Sequence, residues 1–78
     1  MEVNLIYKNI VQLIKLITSN ESKFLMTTSL KDIDGLDSIS YLKLIIVIEK
    51  HYKIKFSIFE INNFKNVKDI CIAIHKNF

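Results

Sequence analysis

The stretch "DGLDSISYLKLIIVIEKHY", Asp34 to Tyr52, decides how the rest of the chain is read. Beyond Ser38 its apolar residues recur at helical steps. Leu44, Ile45, Ile48 and Tyr52 form one stripe, and Ile39, Leu42 and Ile46 form a second beside it. A surface helix needs only one such stripe. The run "LIIVI" is rich in β-branched residues and also fits a strand. Three features favour a helix over Ser38 to about Tyr52: the capping residues at its start, the Glu49–Lys53 (i, i+4) pair, and the lack of a partner strand. Ser38 reads as the N-cap, its oxygen accepting from a first-turn N–H. Asp37 adds negative charge near the positive end of the helix dipole.

Upstream, Val3, Ile6, Ile10, Leu13, Ile14 and Ile17 step by three and four, an amphipathic helix that fades at "TSN", residues 18–20. Residues 19–37 show no clean period. The spacing predicts an ordered loop, with Phe24, Leu25, Met26, Leu30 and Ile33 each available to the core and turns at 27–29 and at "DIDG". Downstream, "KIKFS" alternates too briefly to build a sheet. Ile58 to Asn63 predicts a single helical turn. A last helix starts near Asn66 and buries Val67, Ile70, Cys71 and Ile74. The expectation is one all-α domain over residues 1–78, a small four-helix bundle of three main helices and a short one, with a long first loop.

Composition narrows the function. The chain has 78 residues, half of them apolar, no proline, and one glycine and one cysteine. A chain this short buries only about 60–65% of the surface its unfolded form exposes. A lone cysteine builds no disulfide framework and fits a reducing compartment. All eleven cations are lysines and the net charge is +3. Nucleic-acid readers more often include arginine forks, so the charge argues weakly for that class. The N-terminus lacks a basic signal-peptide region, and the longest apolar run falls far short of the roughly 20 residues that span a bilayer. A cytoplasmic, monomeric protein engaging neither membrane nor nucleic acid is expected.

Side-chain catalysis finds little support. Ser38 as a nucleophile needs a base. His51 lies at the far end of the same predicted helix, about 20 Å away by helix rise. Cys71 falls on an apolar stripe and reads as a buried thiol. Cys71 and His75 at i, i+4 supply two metal ligands without a third. Asp32, Asp34 and Asp37 lack the closing glutamate and glycine spacing of a calcium loop. A serine that another enzyme modifies needs no base of its own. Gly35 permits a close approach or unusual backbone angle just before it. A phosphate esterified to Ser38 would lie where helix N-termini stabilise anions.

The residues "GLDSI", 35–39, resemble the phosphopantetheine attachment motif of acyl and peptidyl carrier proteins, commonly G-x-D-S-L. "LKLIIVIEKHYKIKF" resembles that family's second helix, and "FKNVKDICIAI" its entry into the last one. The resemblance implies a free-standing, acyl-carrier-like bundle that catalyses nothing itself. A phosphopantetheinyl transferase would attach 4′-phosphopantetheine from coenzyme A to Ser38, with Asp37 and Gly35 helping to present it. The arm would carry acyl, aminoacyl or peptidyl cargo as thioesters between a loading enzyme and a downstream synthase or transferase. Ile39, Leu42, Lys43, Ile46 and Lys50 would meet those partners.

The chain departs from the family pattern in three places. Lys43, Lys50 and Lys53 against Glu49 alone make the second helix net positive, where carriers of bulk fatty-acid synthesis are acidic. That predicts a dedicated pathway, such as polyketide or nonribosomal peptide synthesis. Ile39 replaces the usual leucine. Ser57 stands where proline is frequent, which predicts a looser exit from the second helix. Two other readings remain open from sequence: an interaction module in which Ser38 is only a cap, and a basic nucleic-acid-binding bundle.

Overall fold

Helix α1, Val3–Thr18, forms because its apolar residues share a face, and it stops where side chains compete with the backbone. The Thr18 hydroxyl donates to the Ile14 carbonyl at 2.7 Å, and Ser19 turns into the left-handed region at φ 57°. The computed structural model describes residues 2–77. Within them the order is α1, a 3₁₀ turn at Leu30–Asp32, α2 (Ser38–Tyr52), α3 (Ile58–Asn63) and α4 (Val67–Lys76). The all-helical bundle is therefore as expected, and the described residues contain no named strand.

α1 packs against both α2 and α4. Ile6, Ile10 and Ile14 meet Leu44, Ile45, Ile48 and Tyr52 of α2 and Val67, Ile70, Cys71 and Ile74 of α4 in one buried cluster. Each fully buried aliphatic side chain contributes roughly 1.5–3 kcal/mol relative to exposure. Val3, Leu13 and Ile17 lie partly buried at the margin.

The long loop is ordered, as its apolar residues predict. Phe24, Leu30 and Ile33 are buried and Met26 is partly so; Leu25, also expected inside, is exposed. Backbone bonds fasten this loop to the start of α4: Leu30 N–H to the Lys65 carbonyl, Val67 N–H to Thr28, and Lys68 N–H to Met26. The Tyr7 hydroxyl donates to the Phe24 carbonyl from the other side. These pairings satisfy backbone groups that a nineteen-residue connection would otherwise leave exposed.

The exit from α2 is tighter than the sequence suggests. Lys53 adopts φ 56° and closes the helix by donating its N–H to the Glu49 carbonyl. The Glu49 carboxylate accepts from the Phe56 N–H at 2.9 Å, so it serves the following loop. Ser57 is the N-cap of α3: its hydroxyl accepts from the Glu60 N–H at 3.0 Å, and the Glu60 carboxylate accepts from the Ser57 N–H at 2.9 Å. This reciprocal capping box needs the N–H that proline lacks, so the serine firms the exit. The α3 turn and the Asn66 cap, which accepts from Asp69 N–H at 2.9 Å, match the expectation.

Candidate functional site

Gly35 sits in the turn before α2 at φ +88°, a backbone conformation that side chains rarely tolerate. A Cβ there would stand 3.1 Å from both the Thr18 carbonyl oxygen and Thr18 Cβ. The turn therefore lies directly against the end of α1. The Asn20 side chain tightens this junction by donating to the Asp34 carbonyl at 3.1 Å. The glycine provides both the close approach and the unusual angle expected of it.

The helix cap differs from expectation. Asp37, not Ser38, is the N-cap of α2: its carboxylate accepts from the Ser40 N–H at 2.9 Å. Both residue types cap well, but a charged acceptor makes the stronger bond and also complements the dipole. The Ser40 N–H and then the Ser40 hydroxyl hold the Asp37 carboxyl below its usual range, outweighing the opposing cost of desolvation, with the Ile39 N–H and the Lys43 charge adding less. Ser38 becomes the first helical residue, exposed, with its hydroxyl outside the cap. The reading in which Ser38 exists only to cap the helix thus loses its structural basis.

Beside Ser38 lies an open hollow of about 270 Å³ between the start of α2, the 3₁₀ turn and α3. Leu30, Leu36, Tyr41, Ile61 and Phe64 give it apolar walls; Lys31, Asp37 and Asn62 add polar edges. The Tyr41 hydroxyl donates to the Ile61 carbonyl at 2.5 Å and pins α3 across the hollow. Burial pushes that phenol up to about 12. A free hydroxyl at a helix N-terminus, next to a partly apolar hollow, fits a phosphodiester followed by an extended arm.

Tyr41, Lys31 and Ile61 were not singled out from sequence. Tyr41 had a usable signal, lying three residues after Ser38 and hence one turn along the helix. Lys31 and Ile61 reach the hollow only through the docking of the loop and α3, which no local pattern encodes.

Ile39, Leu42 and Ile46 are 68%, 53% and 51% exposed, and Lys43 and Lys50 are exposed with them. The expected partner residues thus share one open face of α2. Cys71 is fully buried, and that burial pushes its thiol up to about 11. Among the described residues no three or more His, Cys, Asp or Glu side chains converge as a metal site. Among the described residues no helix is long and apolar enough to cross a membrane.

No protein-family model matches the chain. Two acyl carrier proteins, from onion yellows phytoplasma and aster yellows witches'-broom phytoplasma, are each 39% identical over 56 residues, covering 72% of this chain and 74% of the relative. A Mycobacterium tuberculosis protein assigned as an acyl carrier superposes with a TM-score of 0.85 at 25% identity, over 92% of this chain and 97% of its own. The solution structure of holo acyl carrier protein from Geobacter metallireducens gives a TM-score of 0.81 at 33% identity, over 91% of this chain and 83% of its own.

Proposed function

Because the chain belongs to the acyl carrier protein family, we propose that Ser38 is where a phosphopantetheinyl transferase attaches 4′-phosphopantetheine from coenzyme A. The protein is a carrier rather than an enzyme. The observation that carries the attachment site is the division of labour at the start of α2, where Asp37 caps the helix and leaves the Ser38 hydroxyl exposed. When bound, the arm supplies a terminal thiol able to hold carboxylic cargo as a thioester.

The chain's own residues do the rest. The first-turn N–H groups and the positive end of α2 favour a phosphodiester at Ser38. Gly35 fixes the turn that presents the serine, and Asp37 offers a carboxylate beside it to the modifying enzyme. The open hollow walled by Leu30, Tyr41, Ile61 and Phe64 offers apolar contact along one side of whatever lies in it. The face of Ile39, Leu42, Lys43, Ile46 and Lys50 receives the loading and accepting enzymes. The lysines on α2 support a dedicated pathway, polyketide, nonribosomal peptide or another specialised product, because partners with basic seats are repelled by a basic helix. We take residues 1–78 to act as one carrier domain in the cytoplasm.

Incubation of the apo protein with coenzyme A, magnesium and a broad-specificity transferase, followed by intact mass measurement, tests the site. Wild type gains one phosphopantetheine and Ser38→Ala gains none. No gain by wild type across several transferases would reject the assignment and return the protein to the class of interaction modules.

A further inference from the structure

Resting on the carrier reading, we propose that α2 docks into partner enzymes whose seat is an apolar groove rimmed by carboxylates. Ile39, Leu42, Lys43, Ile46 and Lys50 fall within roughly a 100° arc of the helix, opposite its buried stripe. The three apolar members are each more than half exposed, and nothing in the fold covers them. A partner groove that removes them from water gains from their burial.

Charge then selects among grooves. Both cations on the arc, Lys43 and Lys50, are exposed. The one acid of α2, Glu49, lies off the arc, and its carboxylate is committed to the Phe56 N–H. Asp37, at the head of the helix, is engaged by Ser40. Lys55 extends the positive charge at the far end, where Ile46, Glu49, Lys50, Ile54 and Lys55 line a hollow of about 200 Å³. The face therefore offers apolar knobs flanked by ammonium groups. Its complement is an apolar groove flanked by carboxylates, and a basic rim meets like charge. The strip begins at Ile39, directly after Ser38, so an enzyme working at Ser38 can extend its contact along it. That continuity favours a protein groove over an anionic bilayer.

The test titrates the full-length, isotope-labelled chain with two synthetic helical peptides at low salt. One presents leucines flanked by glutamates; the other has lysine at every glutamate position. The Leu/Glu peptide is expected to shift the amides of Ile39 to Lys50, and added salt to weaken it. Lys43→Glu with Lys50→Glu should weaken it about fivefold or more and transfer the preference to the Leu/Lys peptide. Four results would overturn the proposal: a wild-type preference for the Leu/Lys peptide, shifts centred on α3 and α4, no binding of either peptide at millimolar concentration, or perturbation of the strip by phosphatidylglycerol vesicles but not by the Leu/Glu peptide. The readout is independent of Ser38 modification. A chain that accepts phosphopantetheine but ignores the Leu/Glu peptide refutes this inference alone. One that binds the peptide but is never modified refutes only the attachment site.

Discussion

Replacing Gly35 by alanine should unsettle the one junction where α1 meets the turn presenting Ser38. Two costs add. Holding a residue with a Cβ at φ +88° costs about 1–2 kcal/mol. The new Cβ also stands 3.1 Å from the Thr18 carbonyl oxygen, a few tenths of an ångström inside ordinary contact, and that oxygen belongs to backbone with little room to yield. One term opposes them: alanine restricts the unfolded chain, worth about 0.4–1 kcal/mol in favour of folding. The net loss is about 1–2 kcal/mol. For a domain of this size that lowers Tm by about 5–15 °C. Urea unfolding followed by circular dichroism gives the free energy, and a thermal scan gives Tm. Gly35→Asn separates the two costs, because asparagine tolerates positive φ better yet carries the same Cβ. It should fall between wild type and alanine. A Gly35→Ala protein as stable as wild type would refute the reasoning, since neither the backbone angle nor the contact would then constrain the turn.

Capping predicts a contrast between neighbours. Ser38→Ala should leave the unfolding curve nearly unmoved, while Asp37→Ala shifts it to lower urea and Asp37→Asn, which keeps a capping oxygen, largely restores it; equal effects at both positions would contradict the cap assignment. Tyr41→Phe removes the bond to the Ile61 carbonyl and should cost about 1 kcal/mol, read by urea unfolding. Cys71 and Tyr41 have their acidities weakened by burial, from the usual 9.0 and 10.0 to about 11 and 12. Each raised value marks a neutral form favoured by folding. Their contributions are therefore complete below about pH 9 and are lost as pH rises toward 11 and 12, because the unfolded chain releases those protons first. A stability profile flat from pH 8 to 11 would contradict this. The apo protein should resist a thiol reagent at neutral pH, and the modified protein should gain one fast-reacting thiol; a fast apo reaction would mean Cys71 is accessible.

Much of the fold was legible because its helices carry their own periodicity. The stripes of α1, α2 and α4 named most of the core, and Asn66 announced the last helix. Side-chain to backbone pairings were less legible because they depend on where distant segments land. Glu49 looked like a partner for Lys53, yet its carboxylate reaches Phe56 N–H, because Lys53 takes a left-handed turn that carries the chain back past it. Ser57 looked like a lost proline and is instead half of a capping box. At the candidate site, Gly35, Asp37 and Ser38 were all visible in five residues of sequence. The roles of Asp37 and Ser38 as cap and exposed hydroxyl were not, since either side chain has the chemistry to cap and only the geometry chooses.

The most direct measurement is a peptide map of the protein purified from the cells that make it. Trypsin should release Asp32 to Lys43, "DIDGLDSISYLK", which contains both Ser38 and Ser40. The account predicts that fragmentation of this peptide finds phosphopantetheine on the exposed Ser38 and leaves Ser40, which is half-buried and whose N–H engages Asp37, unmodified. A peptide that is always bare, or that carries the arm on Ser40, would contradict it.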